Sequence, residues 1–179
     1  VLAAQAQDGT PIALLANYSQ HYYGSPLLSA DYYGAFARRI AEALGQPSSE
    51  GPFVAMMSQG TSGDLMWMDY GSPKKEGTFD AYASEMVQGA MEAYKAITWH
   101  DALPLAMEES VIDLAYRVPD SKRLAWARER VAALDVEIPK TQSDIYAQEA
   151  LILHERQRAQ LKLQAVRIGE LTIATLPDE

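Results

Sequence analysis

The sequence predicts an α/β fold in which a mixed, largely parallel sheet is flanked by helices and carries a helical hairpin as an insertion. Short apolar runs that end in loops are typical of strands buried on both faces, and two such runs flank an amphipathic segment. Strand, helix and strand in this order form the unit from which parallel sheets are built. The 179 residues, 48% of them hydrophobic, are enough for one sizeable core.

The first half of the chain supplies this unit and a second helix. Turn residues precede the first strand, Gly45 follows the first helix, and apolar residues recur at helical spacing after a loop rich in glycine and proline. The predicted elements are a strand over 12–18, a helix that Ser29 or Asp31 caps and that runs to about Leu44, a strand over 53–57 and a helix over 78–97.

The second half of the chain predicts a helical hairpin between strands. Ser121 can cap one helix, and Pro139 separates it from the next, so that an antiparallel hairpin over 121–162 is the economical interpretation. The remaining predicted elements are a strand over 105–118, helices from Ser121 to about Leu134 and from Gln142 to about Leu161, and strands over 165–168 and 171–176 that a tight turn at Gly169 and Glu170 joins.

Charge and composition argue against several classes of function. The chain has 24 acidic and 15 basic residues, and its net charge of −9 disfavours binding to nucleic acid. It has no cysteine, which excludes thiol nucleophiles and cysteine-based metal sites. No apolar run approaches the roughly 18 to 20 residues that a membrane span needs.

Polar residues that follow the predicted strands are the candidates for chemistry, because open α/β sheets place their ligand sites there. His21 follows the first strand, where it is either a metal ligand or a structural hydrogen-bonding residue. Five tyrosines crowd the same stretch, either as the rim of a substrate pocket or as packing residues under a loop. They are Tyr18, Tyr22, Tyr23, Tyr32 and Tyr33.

Two further segments follow strands. In the loop from Gln59 to Asp64, two glycines let backbone N–H groups converge on an anion, although a tight turn with Asp64 as a helix cap explains the loop equally well. The carboxylate of Glu179 can ligate zinc or act as a base, or it can be a solvated residue. His100 and His154 are interpreted as structural.

Taken in this order, the three segments resemble the N-terminal domain of the neutral, non-lysosomal ceramidase family. The shared residues are Asn17, Tyr18 and His21, then Ser29, Asp31 and Gly34, then Phe53, Val54, Ala55, Gln59, Gly63 and Asp64, and finally Pro177 and Glu179. The resemblance implies that residues 1–179 are part of a single ceramidase-like α/β domain.

The same resemblance implies a catalytic zinc, held by two histidines, a glutamate and a tyrosine, that serves to cleave the amide of a small-molecule or lipid-like substrate. His21 would be the second histidine and Glu179 the glutamate. The other two ligands would lie before Val1 and after Glu179, and we therefore expect the chain to be cut at both ends. A signal peptide cannot be judged from it, and the family resemblance implies secretion or a periplasmic location.

The chain also departs from the family pattern. Met66 stands where the family has a serine implicated in catalysis, and a thioether is neither a nucleophile nor an oxyanion donor. Ser62 or Thr61 can supply a hydroxyl in its place, and the catalytic candidates are Ser62 and Asp64. The candidate substrate-binding residues are Tyr22, Tyr23, Asp31, Gln59, Gly60 and Gly63.

These features predict a zinc-dependent hydrolase that acts on an amide or related acyl bond. Met66 and Trp67 favour an alternative, a non-catalytic module of the same fold that binds a lipid or a carbohydrate. A third interpretation is that the order of the motifs is coincidental and that the α/β domain has another role.

Overall fold

A computed structural model describes residues 1–25, 27–46, 51–74, 76–135 and 138–177. The helices and strands of these residues divide between two units of the chain, Val1–Trp99 and His100–Glu179. Each unit holds three strands and two helices, so the fold is mixed α/β. Among the described residues, every helix falls short of the length and hydropathy that a membrane span requires.

The first unit contains the predicted strand, helix and strand, with α1 crossing between two parallel strands. Its elements are β1 (Leu2–Gln5), β2 (Pro11–Tyr18), α1 (Asp31–Ala43), β3 (Val54–Gln59) and α2 (Phe79–Lys95). The strand order is β1-β2-β3, with β1 antiparallel to β2 and β2 parallel to β3. Leu14 lies opposite Ala55 and Tyr18 opposite Gln59, so the carboxyl ends of β2 and β3 meet at one edge.

The core of this unit forms between the sheet and one face of α1. Tyr32, Phe36 and Ile40 recur at four-residue spacing on α1 and are fully buried, as is Leu14 of β2. The second helix packs against α1, and an ion pair between Arg39 of α1 and Asp80 of α2 joins the two.

The second unit has an antiparallel sheet and a helical hairpin. Its elements are β4 (Leu105–Ala115), α3 (Ser121–Ala132), α4 (Gln142–Arg156), β5 (Arg158–Ile168) and β6 (Leu171–Thr175), with the strand order β4-β5-β6. The hairpin buries the small side chains of Ala127, Ala147 and Ala150, and Arg130 Nε donates to Asp144 Oδ1 at 2.7 Å. The strand β4 is exposed along its whole length.

The prediction of one largely parallel sheet is wrong, because the described strands form two three-stranded sheets and β2–β3 is their parallel pair. The reason lies in the connection from β4 to β5. An antiparallel hairpin of two helices returns the chain to the carboxyl end of β4. Arg158, the first residue of β5, therefore pairs with Ala115, the last residue of β4, and the two strands run in opposite directions. The expectation that residues 1–179 belong to one ceramidase-like domain stays a prediction.

Several predicted boundaries and caps also differ. The N-cap residue of α1 is Ala30, without a side-chain cap, and that of α3 is Asp120, whose carboxylate accepts from Arg123 N–H at 2.7 Å. Neither Ser29, Asp31 nor Ser121 therefore occupies the cap position. Asp64 caps no helix either, because the described residues between β3 and Thr78 form turns and irregular segments.

Candidate functional site

The candidate site lies where β2 and β3 end side by side. The segments that leave this edge contain His21 after β2 and the loop 60–67 after β3. Two contacts tie them together at the edge, since Asn17 Nδ2 donates to Ser58 Oγ at 3.0 Å and Gly60 N–H donates to the Tyr18 carbonyl at 3.0 Å. The structure therefore brings together the first two of the three segments that the sequence singled out.

Two hydrogen bonds hold His21 in place. Its backbone N–H donates to the Leu65 carbonyl at 3.0 Å, and its ring Nδ1 lies 2.6 Å from the Ser62 carbonyl. A carbonyl oxygen can only accept, so Nδ1 carries a proton, and of the two neutral tautomers this contact selects the one with its lone pair on Nε2. Metal-ligating histidines are commonly oriented in this way, by a backbone carbonyl on the nitrogen that does not bind the metal.

Ser62 contributes to the site through its carbonyl, which the sequence did not indicate. Its side chain is buried at 3% exposure, and its hydroxyl accepts from Gln59 Nε2 at 2.6 Å. The same amide group lies 3.4 Å from the Gln20 carbonyl. Gln59 and Ser62, predicted to bind substrate and to act in catalysis, thus form part of the hydrogen bonding within the loops, whereas Asp64 is exposed in a turn.

The two glycines of the loop differ in their surroundings. A Cβ atom on Gly60 would lie 3.0 Å from Asn17 Oδ1 and 3.3 Å from Ser19 Cα, and closer still to the Ser19 hydroxyl. A Cβ atom on Gly63 would meet nothing within 4 Å. Close approach of the two segments therefore requires glycine at position 60, and space for a side chain exists at position 63.

The Asp31 carboxylate binds the backbone of the segment that follows His21. Its Oδ1 accepts from the N–H groups of Tyr23 at 2.8 Å and Tyr32 at 2.7 Å, and its Oδ2 accepts from Gly24 at 3.0 Å and Ser25 at 2.8 Å. Burial alone would raise the pKa of Asp31, but the N–H groups of Ser25, Tyr32 and Tyr23 outweigh it and lower the pKa. The carboxylate is therefore ionised and turned toward the loop.

The tyrosines of this region divide into buried and accessible ones. Tyr32 and Tyr33 stack at 4.2 Å between ring centroids, and their hydroxyls donate to the Gln20 carbonyl at 3.2 and 3.1 Å. Burial and the neighbouring Tyr33 raise the pKa of Tyr32, which keeps it protonated as a donor. Tyr22 is 64% exposed, whereas Tyr23 and Trp67 are half-buried and stack on each other at 4.2 Å, so Tyr22 with the edges of this stack forms the candidate aromatic surface beside His21.

The described residues supply one candidate zinc ligand at this site, so the zinc site stays a prediction. His21 has its Nε2 lone pair available, and catalytic zinc usually has three protein ligands. Within the described ranges, no group of three or more His, Cys, Asp or Glu side chains is placed to hold a metal ion. Glu179, the predicted carboxylate ligand, lies outside the described residues.

No protein-family model matches the chain, and no curated protein or solved structure matches it significantly. The similarity to the neutral ceramidases therefore rests on the order of the motifs in the sequence.

Proposed function

We propose that the chain is part of a zinc-dependent hydrolase, similar to the neutral ceramidases, that cleaves an amide or related acyl bond in a small-molecule or lipid-like substrate. The observation that carries the proposal is the hydrogen bond from His21 Nδ1 to the Ser62 carbonyl. It leaves Nε2 as the free ligand nitrogen, at the strand edge where α/β folds place their ligands. A secreted or periplasmic location belongs to the same proposal through the family resemblance.

The residues of this chain would have separate roles in such a site. A zinc ion bound here would supply Lewis-acid chemistry, by activating water or polarising the scissile carbonyl. His21 would hold the metal through Nε2, and Glu179 is proposed as a second ligand. The Gly60 N–H is bonded to the Tyr18 carbonyl, so the backbone N–H groups of residues 61–64 are the ones proposed to line the site, while Tyr22 would provide contact area for the substrate. Since activation of water by zinc needs no serine nucleophile, Met66 is compatible with hydrolysis.

Metal analysis of the full-length protein tests this proposal. We expect zinc in the purified wild-type protein and its loss in His21→Ala, because the substitution removes the ligand nitrogen. His100→Ala is the matched control, since His100 is exposed in a loop of the second unit and should leave the zinc content unchanged. Equal zinc content in the wild type and in a folded His21→Ala variant would contradict the assignment.

A second function is favoured by the aromatic surface. Tyr23 and Trp67 are stacked, and the nearby Leu65 and Met66 are 43% and 41% exposed. Such a surface suits a module that binds a lipid or a carbohydrate without cleaving it. Protein stripped of metal with a chelator would then still bind a short-chain fatty acid amide or an oligosaccharide, as followed by tryptophan fluorescence, and the zinc-loaded protein would release no product.

A further inference from the structure

The buried carboxylate of Asp31 lies at an unusual position in the backbone. Its own φ angle is +50°, in the left-handed region that residues with a Cβ atom rarely adopt, and its N–H donates to Ser29 Oγ at 3.0 Å. The residue is 7% exposed, and no basic side chain is among the partners that the structure gives its carboxylate. A buried anion in a strained backbone conformation persists only where several interactions with its surroundings stabilise it.

Three of the four N–H groups that donate to this carboxylate are consecutive in the chain. Those of Tyr23, Gly24 and Ser25 all point at the Asp31 carboxylate, at 2.8 to 3.0 Å. Successive N–H groups that converge in this way form a concave anion-binding nest, and Gly24, with a φ angle of +103°, supplies the turn that such a nest requires. In this protein the anion that fills the nest comes from the chain itself.

The nest begins two residues after His21, the candidate zinc ligand, and its first residue, Tyr23, belongs to the aromatic stack. Tyr23, whose N–H contacts Asp31, is two residues from His21 and is the residue that stacks on Trp67. The Ser62 and Leu65 carbonyls fix the His21 side of this segment, and Asp31 fixes the other side. Without the carboxylate, these three N–H groups would lose their acceptor and the segment would have to adopt another conformation.

We propose that Asp31 is a positioning residue: its carboxylate fills the nest of residues 23–25 and thereby sets the direction of the His21 ring and of the Tyr23–Trp67 stack. It touches neither metal nor substrate. The proposal rests on the proposed function only in so far as it makes His21 a zinc ligand. The effect of Asp31 on the conformation of residues 21–25 does not depend on whether zinc binds.

Rescue by a small carboxylate tests the proposal in the full chain. Asp31→Ala empties the nest, and sodium formate supplies a carboxylate small enough to fill it. We expect Asp31→Ala to shift the NMR signals of the His21 ring and of the Gly24 and Ser25 amides, and formate, but not sodium chloride at equal ionic strength, to return them toward their wild-type positions. Zinc affinity should fall roughly 10- to 100-fold and recover with formate, as expected when the group that orients a metal ligand is removed.

Asp144→Ala is the matched control. Asp144 is also 7% exposed, but it accepts from Thr141 and Arg130 in the second unit. A general loss of stability would affect both variants, whereas the His21 signals should shift in the Asp31 variant alone. If Asp31→Ala does not fold, Asp31→Asn, which keeps one oxygen acceptor, should show a smaller displacement of the same signals.

The outcomes separate this proposal from the proposed function. Unshifted His21 signals in a folded Asp31 variant, or a shift that formate leaves unchanged, would overturn the positioning role, whatever the zinc content. A wild-type protein that binds no zinc, but in which the Asp31 substitution displaces His21 and formate restores it, would overturn the zinc assignment and support the positioning role.

Discussion

At the scale of single residues, one hydrogen bond determines which ring nitrogen of His21 can bind a metal. An isolated histidine after a strand is ambiguous in the sequence, because a structural residue and a ligand look the same there. The Ser62 carbonyl, 41 positions later in the chain, selects the tautomer that leaves Nε2 free. No pattern in the sequence indicates a main-chain acceptor at that distance, so this part of the site was not predictable.

Asp31 shows the same limit of sequence reasoning. Its position after Ser29 and Ala30 suggested a helix cap or a residue that flanks the substrate. The structure instead gives its oxygens four backbone N–H donors, three of which come from residues six to eight positions earlier. A carboxylate that accepts from an upstream loop has no sequence pattern of its own, because the donors are main-chain groups that every residue type except proline provides.

The lowered pKa of Asp31 predicts how the stability of the protein depends on pH. Because its pKa is lower in the folded state than its ordinary value of 3.8, the carboxylate stabilises the fold above that value. This contribution should be lost as the pH falls through the folded-state pKa. We therefore expect wild-type protein and Asp31→Asn to differ in free energy of unfolding at neutral pH and to converge as the pH falls below 3.8 and through the lower folded-state pKa, in urea titrations monitored by circular dichroism. A difference that does not change with pH would contradict this.

Gly60 and Gly63 form a natural pair of test positions. A methyl group at position 60 would press on Asn17 and Ser19, so we expect Gly60→Ala to lower the free energy of unfolding by about 1–3 kcal/mol. Gly63→Ala meets open space and should leave stability within about 0.5 kcal/mol of the wild type or raise it slightly. Denaturant unfolding of both variants provides the comparison, and equal losses would argue against close packing at position 60.

At the scale of elements, the helices were predicted best because apolar spacing marks them directly. The helix predicted over 78–97 is α2, Phe79–Lys95, and the helix predicted to end near Leu44 is α1, which ends at Ala43. Each of them places a line of buried or partly buried residues against the core, so the periodicity in the sequence reflects one face of the helix.

The boundary between α4 and β5 was wrong for a definite reason. Leu161 continues the apolar spacing of the helix, which led to a helix as far as that residue. The chain leaves the helix at Gln157, which has a φ angle of +62°, and β5 begins at Arg158. From Arg158 on, polar and apolar residues alternate with the period of a strand. The sequence therefore contained a strand pattern here, but the helical spacing that continues to Leu161 was given more weight.

The strand β1 was not predicted, because four residues without a β-branched or aromatic side chain carry no strand signal. It forms because β2 offers a partner, with Ala3 opposite Leu14. The tight turn at Gly169 and Glu170 predicted the antiparallel pair of β5 and β6, which is confirmed. The pairing of β4 with β5 was not predicted, because it joins strands far apart in the chain.

The N-cap of α2 provides a test at this scale. Thr78 has an extended backbone, and its hydroxyl accepts from Ala81 N–H at 3.1 Å. Thr78→Ala should lower the free energy of unfolding by about 1 kcal/mol, because one N–H of the first turn loses its acceptor. Thr78→Ser keeps the hydroxyl and should remain close to the wild type in the same thermal or denaturant unfolding experiment. A Thr78→Ala variant as stable as the wild type would show that the cap contributes nothing.

At the scale of the whole molecule, the two units have cores of very different kinds. The first unit fully buries Leu14, Tyr32, Phe36 and Ile40, whereas the buried hydrophobic residues described in the second unit are alanines of the helical hairpin. A buried large side chain contributes about 1.5–3 kcal/mol, and an alanine contributes much less. The first unit is therefore the more strongly stabilised of the two.

This difference predicts a pattern of hydrogen exchange in the intact chain. We expect the slowest amides in β2 and α1, and faster exchange in α3 and α4, whose hydrogen bonds open with little loss of buried surface. Exchange followed by mass spectrometry of peptides distinguishes the segments. Protection in α3 that equals or exceeds that of α1 would contradict the prediction.

The placement of the aromatic residues also gives each unit its own optical reporter. The chain has three tryptophans, of which Trp67 stacks on Tyr23 beside the candidate site and Trp126 lies in the second unit under the Arg123 guanidinium, 3.8 Å from the ring centre. The third, Trp99, packs edge-on against Tyr94 at the end of the first unit. With Trp99 replaced by phenylalanine, a change in emission on adding metal or ligand can be assigned, by comparing Trp67→Phe and Trp126→Phe, to the loops beside His21 or to the helical hairpin.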